Sequence, residues 1–263
     1  MNMAPVSHPD PGFSARLRRR EPLIGYWVCL DSPVAVERIA GLGYDYVGVD
    51  GRHGVVHQPG WQVAMLAVDA RGRSAGVIQV PSPDPVAIGA ALDAGARGVI
   101  VPVPENAGQA RSAVRACRHH PAGTRGLGGP VRAELRMGSV PAEVDDRVAC
   151  IVMIETAAAL EDLDAICATE GLDAVYAGPA GLSAALGARR PGDPAVAGEL
   201  EAALRKITEA ARRHGIACGI HVPDGDSAAK RLAEGFTFAT VCGDITHLEQ
   251  AAAAHLRAAR ALV

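Results

Sequence analysis

Eight short apolar runs, each followed by an Ala-rich segment of helical period, are spread over almost the whole chain. The runs lack polar alternation, which is the pattern of parallel strands buried on both faces. They fall at Leu23 to Leu30, Tyr44 to Asp50, Ala75 to Val80, Gly98 to Pro102, Cys150 to Glu155, Ala174 to Gly178, Ala217 to Val222 and Phe236 to Cys242. Helical segments follow near 33–41, 60–70, 85–94, 106–119, 157–169, 197–213, 227–234 and 246–261. Eight βα units in a chain of about 250 residues predict an α/β fold of the closed (β/α)8 TIM-barrel type, which also leaves no exposed sheet edge. An open doubly wound sheet is the weaker alternative, because no strand-turn-helix reads G-x-G-x-x-G and no G-x-x-x-x-G-K-S/T occurs. The stretch Gly126-Leu127-Gly128-Gly129 sits in a long connection and reads as turns rather than as a phosphate cradle. One barrel domain is expected over 22–263, preceded by a flexible polar tail over 1–21.

The 263 residues, 49% of them hydrophobic, suffice for one large core. A net charge of -3 provides no basic field for a phosphate backbone, and four Tyr, three Phe and two Trp offer few stacking platforms, so no nucleic-acid partner is expected. The six cysteines are scattered, with neither C-x-x-C nor metal-ligand spacing, which suits reduced core residues of a cytoplasmic protein. Arg18-Arg19-Arg20 is followed by no signal core, and no run approaches the roughly 20 apolar residues of a membrane span. The expectation is a soluble protein with no membrane partner.

Catalytic groups of a barrel sit at the C-terminal ends of its strands. Strand two ends in Asp50, followed by Arg52 and His53; strand three ends in Gln79, strand five in Glu155, strand six in Gly178 to Gly181, strand seven in His221, and Asp244 follows strand eight. His53 lies in a glycine-flanked loop where an imidazole can act as general acid or base near neutral pH. Glu155 closes a strongly apolar run, so its carboxylate needs a cation, a donor or the open mouth; metal ligation and a structural ion pair satisfy this equally. His57 and His221 read as solvated or backbone-satisfied, and Asp93 as a helix-terminal residue facing solvent. Loop geometry over 120–148, together with oligomer contacts, is expected to set substrate choice.

At these residues the chain resembles the 4-hydroxy-2-oxoheptanedioate (HpcH/HpaI) aldolase family. The likeness is carried by Gly43-Tyr44-Asp45-Tyr46-Val47-Gly48-Val49-Asp50-Gly51-Arg52-His53, by Val101-Pro102-Val103 through Pro121-Ala122-Gly123-Thr124-Arg125-Gly126, and by Met153-Ile154-Glu155-Thr156 with Glu170-Gly171-Leu172-Asp173-Ala174-Val175. Gly178-Pro179-Ala180-Gly181-Leu182-Ser183-Ala184-Ala185-Leu186-Gly187 is similar to the family's strand-six signature. The resemblance implies a barrel that makes or breaks a carbon-carbon bond through a pyruvate-like enolate, with a divalent metal (Mg, Mn or Co) holding a small oxo acid. It also implies a homo-oligomer, often a hexamer with a helix exchanged between subunits. On matching positions Glu155 is implied as a metal ligand, His53 as the base, Asp93 as the partner of that base, Asp50 as a motif acid near the site, and Gly178, Pro179, Ala180 and Gly181 as substrate-binding.

Three positions depart from the pattern. Gly181 stands where the resemblance implies the second metal-binding Asp, Gln79 where it implies the substrate-binding Arg, and Arg52 where it implies Glu. With one protein carboxylate left, a divalent ion should bind weakly or not at all. The exchanges make the site about two to three charge units more positive, less one for Gln79. This predicts that the Arg52 guanidinium pairs with Glu155 and serves as a fixed cation for a substrate carboxylate or an enolate. The leading expectation is therefore a carbon-carbon lyase acting on a small 2-oxo acid or β-keto acid. The alternatives are a metal-independent biosynthetic enzyme, running a decarboxylation, condensation or cyclisation on the same barrel, and a non-catalytic oxo-acid-binding barrel.

Overall fold

A computed structural model describes residues 12–102, 104–127 and 131–261. Strands β1 (Leu23–Val28), β2 (Tyr46–Asp50), β3 (Ala75–Gln79), β4 (Gly98–Val101), β5 (Ala149–Ile154), β6 (Ala174–Ala177), β7 (Ala217–Val222) and β8 (Phe238–Val241) pair in parallel in sequence order, and β8 closes on β1. The (β/α)8 barrel expected from the repeat is the fold. Several strands are a few residues shorter than the apolar runs, so Glu155 and Gly178 lie just beyond β5 and β6.

Side chains of each strand alternate between the barrel interior and the layer beneath the helices. Val47, Val49, Cys150, Val152, Cys218 and Ile220 face the helices, whereas Leu23, Trp27, Tyr46, Val77, Ile100, Met153, Tyr176 and Phe238 fill the interior. Three interior aromatics lie across a glycine paired with them in register on the next strand: Tyr46 over Gly25, Trp27 over Gly48 and Phe238 over Gly219. A Cβ at any of the three glycines would fall inside the ring beside it. Gly219→Ala is therefore expected to lower stability by about 1–3 kcal/mol through overpacking against Phe238, measured as a shift of the chemical denaturation midpoint. Deeper in, the Tyr46 and Tyr176 hydroxyls both meet Thr240 Oγ1 at 2.6 Å, so the buried polar atoms of this layer are satisfied by one another.

The tail expected through residue 21 is corrected for residues 12–21. Phe13–Arg18 is a helix whose Phe13 and Leu17 are buried, with the Phe13 ring 5.4 Å from that of Tyr46, so it caps the lower end of the barrel. Residues 1–11 lie outside the described residues. The connection after the helix Ala107–Cys117 carries two further helices, Val131–Met137 and Pro141–Arg147. Its described residues meet the lower rim of their own barrel, with Arg125 on Asp93 and Arg132 on the Ala94 carbonyl oxygen. Gly128 and Gly129 of the glycine-rich stretch, and Val103 of the Val-Pro-Val motif, also lie outside the described residues. No helix among the described residues is long and apolar enough to cross a membrane. The last helix, Asp244–Arg260, buries none of its residues.

Candidate active site

Asp50, the last residue of β2, is 6% exposed and organises the mouth. Its Oδ1 accepts the backbone N–H groups of Arg52 (3.0 Å) and His53 (2.7 Å), and its Oδ2 accepts Trp27 Nε1 (3.1 Å) and the Cys29 thiol (3.9 Å). A side chain that accepts from the backbone two and three residues on closes a local turn, so Asp50 folds the loop 51–54 against the strand ends. Gly54 permits this packing, since a Cβ there would fall 2.5 Å from the Asp50 carbonyl oxygen and 3.0 Å from that of Cys29. With four donors on it, the Asp50 carboxylate is a positioning group rather than a free proton acceptor.

The turn aims Arg52 across the mouth. Its Nη1 donates to Glu155 Oε1 at 2.7 Å, with side chains 25% and 14% exposed. A half-desolvated, charge-assisted hydrogen bond of this length joins residues 103 apart in sequence. Above it, Gly178 precedes the helix Pro179–Ala185, and the first turn of that helix sits directly on Glu155. A Cβ built at Gly181 falls 2.9 Å from Glu155 Cβ and 3.1 Å from Oε2, so Glu155 itself fills the room a carboxylate at 181 would need. Gly178 is buried against Met153 and Glu155, whereas Pro179 is half-buried and Ala180 is exposed.

This donor set does not fit a divalent cation. A hard ion of that kind takes six or more oxygen ligands and usually at least one uncommitted carboxylate. Here Glu155 is engaged by a guanidinium, position 181 offers no donor, and the described residues contain no group of three or more His, Cys, Asp or Glu placed to hold a metal. The charged group that faces Glu155 is the Arg52 guanidinium.

Gln79, buried at the end of β3, donates from Nε2 to the Met153 sulfur at 3.0 Å. It therefore forms part of the floor, and a neutral amide there does not replace the cation implied at this position. His53 lies on the exposed rim beside Arg52, and its ring has no hydrogen-bond partner among the described residues. Asp93 is not near it. In each βα unit the helix runs back down from the mouth, so Asp93, the last residue of the helix Pro85–Asp93, lies at the lower rim, where it accepts Arg125 Nη2 at 2.9 Å. Within one chain, the expected pairing of Asp93 with His53 is thus overturned by the direction of the helix that carries Asp93. Asp244 is likewise committed, accepting the N–H groups of Cys29 and Leu30.

The mouth also contains residues that strand ends alone do not single out. Trp27, Cys29 and Met153 share the inward parity of Asp50 and Gln79, and the alternation along β1 and β5 is the sequence signal that finds them, while His221, at the end of β7, joins them there. Burial, with Asp50 and Asp244 nearby, pushes the Cys29 thiol up to about 12, so it is protonated at neutral pH. Burial likewise holds the His221 imidazole below its ordinary range, with Asp50 acting partly against it.

The model of the HpcH/HpaI aldolase/citrate lyase family matches residues 23–251, nearly the full barrel. The chain belongs to this family. It is similar to the hydroxypyruvate/pyruvate aldolase of Delftia acidovorans, 39% identical over 256 residues that cover 96% of this chain and 94% of that protein. It is also similar to the 4-hydroxy-2-oxo-heptane-1,7-dioate aldolase of Shigella sonnei, 37% identical over 249 residues and 93% of each chain. Among solved structures, an HpcH/HpaI aldolase/citrate lyase family protein from Burkholderia cenocepacia superposes with a TM-score of 0.85 at 33% identity, covering 94% of this chain and 98% of that one. This HpcH/HpaI chain is accordingly a carbon-carbon lyase of the aldolase type, acting on oxo acids.

Proposed function

We propose that this HpcH/HpaI enzyme cleaves or forms the carbon-carbon bond of a small 4-hydroxy-2-oxo acid through a pyruvate-like enolate, with Arg52 as the fixed cation and His53 as the general base. The observation that carries the reading is the Arg52–Glu155 ion pair at the barrel mouth. One of the five N–H groups of the guanidinium is used on Glu155, which leaves four to hold a carboxylate and the adjacent 2-oxo oxygen.

In the cleavage direction, His53 takes the proton of the C4 hydroxyl and the C3–C4 bond breaks. Its electron pair moves onto the 2-oxo group, and the aldehyde departs. The enolate oxygen that forms is stabilised by Arg52, a donor already oriented before the reaction. Protonation at C3 by the His53 imidazolium then gives the 2-oxo acid and restores the base. Decarboxylation of a β-keto acid would pass through the same enolate.

The test is deuterium exchange at the pyruvate methyl, followed by NMR in the presence of a chelator. Exchange by the wild-type enzyme and its loss by about 10²–10⁴-fold in His53→Ala are expected, the usual contribution of a positioned acid–base group. Equal exchange in the variant would remove His53 from the reaction.

We also propose a homo-oligomer. Asp93 lies at the lower rim of its own barrel, so the Asp93–His53 pairing that the resemblance implies requires a second copy, and the Ala-rich helix Asp244–Arg260, which buries none of its residues, offers a surface for such packing. The six cysteines, all unpaired, suit a cytoplasmic location.

A further inference from the structure

The Arg52–Glu155 pair runs from the β2 loop to the end of β5 and divides the mouth into two sectors. The smaller lies over β3 and β4. The larger, over β6, β7, β8 and β1, is walled by Gly178, His221, Trp27 and Cys29. If the oxo-acid half of the substrate is held at the ion pair, the aldehyde half occupies the larger sector, because the floor of the smaller is closed by Gln79 on Met153.

The polar groups of that wall are already committed, with one exception. Trp27 Nε1 and the Cys29 thiol both donate to Asp50. His221 stands edge-on to the Trp27 ring, with centroids 5.7 Å apart and planes at 78°, and its ring nitrogens make no hydrogen bond among the described residues. It points inward with Ala217 and Gly219 of the same strand, and it is only partly buried. A histidine held by an indole, in a barrel mouth, with one donor and one acceptor unused, is placed to contact a ligand.

We propose that His221 is a specificity-determining residue that hydrogen-bonds a hydroxyl group on the aldehyde half, so that the enzyme prefers short hydroxyaldehydes to unsubstituted ones. The inference rests on the enolate reading given above. The ring is the right kind of group for such a partner. It is neutral, since burial disfavours the imidazolium, and the nearby Asp50 carboxylate opposes an acidic aldehyde. An uncharged hydroxyl can both give to and accept from it, and Trp27 supplies a flat apolar face for the carbon next to that hydroxyl.

The experiment condenses pyruvate with glycolaldehyde or with propanal, two aldehydes of the same heavy-atom count that differ in a terminal hydroxyl or methyl. The wild-type enzyme should favour glycolaldehyde in kcat/KM. In His221→Leu that preference should fall about tenfold or more, chiefly through the KM for glycolaldehyde, on the scale of one lost hydrogen bond. His221→Gln, which keeps a donor and an acceptor, should restore part of it. Loss of activity on both aldehydes in equal proportion, an unchanged ratio, or a Gln variant no better than Leu would overturn the proposal. If the Leu variant does not fold, a wild-type enzyme without a preference for glycolaldehyde overturns it alone. Pyruvate methyl exchange by the wild-type enzyme separates the two readings. Exchange without aldehyde discrimination removes only the role of His221, whereas no exchange removes the enolate reading and this inference with it.

Discussion

Replacing Arg52 with Ala is expected to slow pyruvate methyl exchange by about 10²–10³-fold, the cost of removing one preorganised donor from a developing oxyanion. The effect should be large because Arg52 does two things at once. It neutralises Glu155, which is 14% exposed and has no other cation within ion-pair distance among the described residues, and it presents the remaining N–H groups to the substrate. Arg52→Lys should recover only part of the loss, since an ammonium can meet Glu155 but cannot offer a planar fork to a carboxylate as well. Added guanidinium ion should rescue Arg52→Ala more than added ammonium does. The measurement is the exchange rate by NMR with chelator present, so that a contaminating metal does not stand in for the missing charge. An Arg52→Ala enzyme that exchanges at the wild-type rate would place the cation elsewhere, and the ion pair would then be a structural contact only.

Asp173→Ala is expected to cost about 3–5 kcal/mol of folding stability, the scale of removing one partner from a buried ion pair. Asp173 immediately precedes β6 at the lower rim and is 6% exposed. Its Oδ1 accepts Arg18 Nε at 2.6 Å, and its Oδ2 accepts Arg118 Nη2 and the backbone N–H of Cys150, both at 2.7 Å. One carboxylate therefore ties the N-terminal helix, the connection after the helix Ala107–Cys117 and the start of β5 to the barrel floor. Removing it leaves the buried Arg118 guanidinium with only the carbonyl groups of Val148 and Gly171. Asp173→Asn, which keeps the shape and one acceptor, should lose less. Urea denaturation of the two variants checks this, and a shift of less than about 1 kcal/mol in Asp173→Ala would show that the three elements are held by their apolar packing instead. Because Asp173 is at the opposite end of the barrel from Arg52, the exchange rate of the folded variant should change little.

The two ends of the barrel thus use the same chemistry for different purposes. At the lower rim, Arg18 and Arg118 share Asp173 at the start of β6, and Arg132 and Arg136 share Asp69 in the last turn of the helix Gln58–Arg71, so connections are locked to the barrel floor. At the upper rim, the Arg52–Glu155 pair is more exposed, and one guanidinium nitrogen is used on the carboxylate. The division follows the barrel rule that stability resides at the bottom face and chemistry at the top.

Much of this architecture is legible in the amino-acid sequence. The eight apolar runs determine the barrel, because double-sided burial of parallel strands is a local property that shows directly in composition. Strand ends then place Asp50, Arg52, His53, Gln79 and Glu155 on one face, and the period-2 alternation along β7 places His221 there too. The direction of a βα helix is also enough to put Asp93 at the lower rim of its own barrel, away from the His53 of the same chain. Other features need the tertiary structure. That Arg18 belongs to a capping helix, and not to a polar tail, depends on an Asp 155 residues away. That Asp50 braces a loop instead of exchanging a proton depends on four donors arriving from the β1 end and from its own turn. That Glu155 occupies the space beside Gly181 and meets Arg52 depends on how closely the helix Pro179–Ala185 sits on the end of β5. Periodicity and strand order are encoded by neighbours in sequence, so they can be read one segment at a time. The partner of a charged side chain is chosen among residues brought together only by closure of the barrel, where a few ångströms decide between a metal ligand and an ion pair.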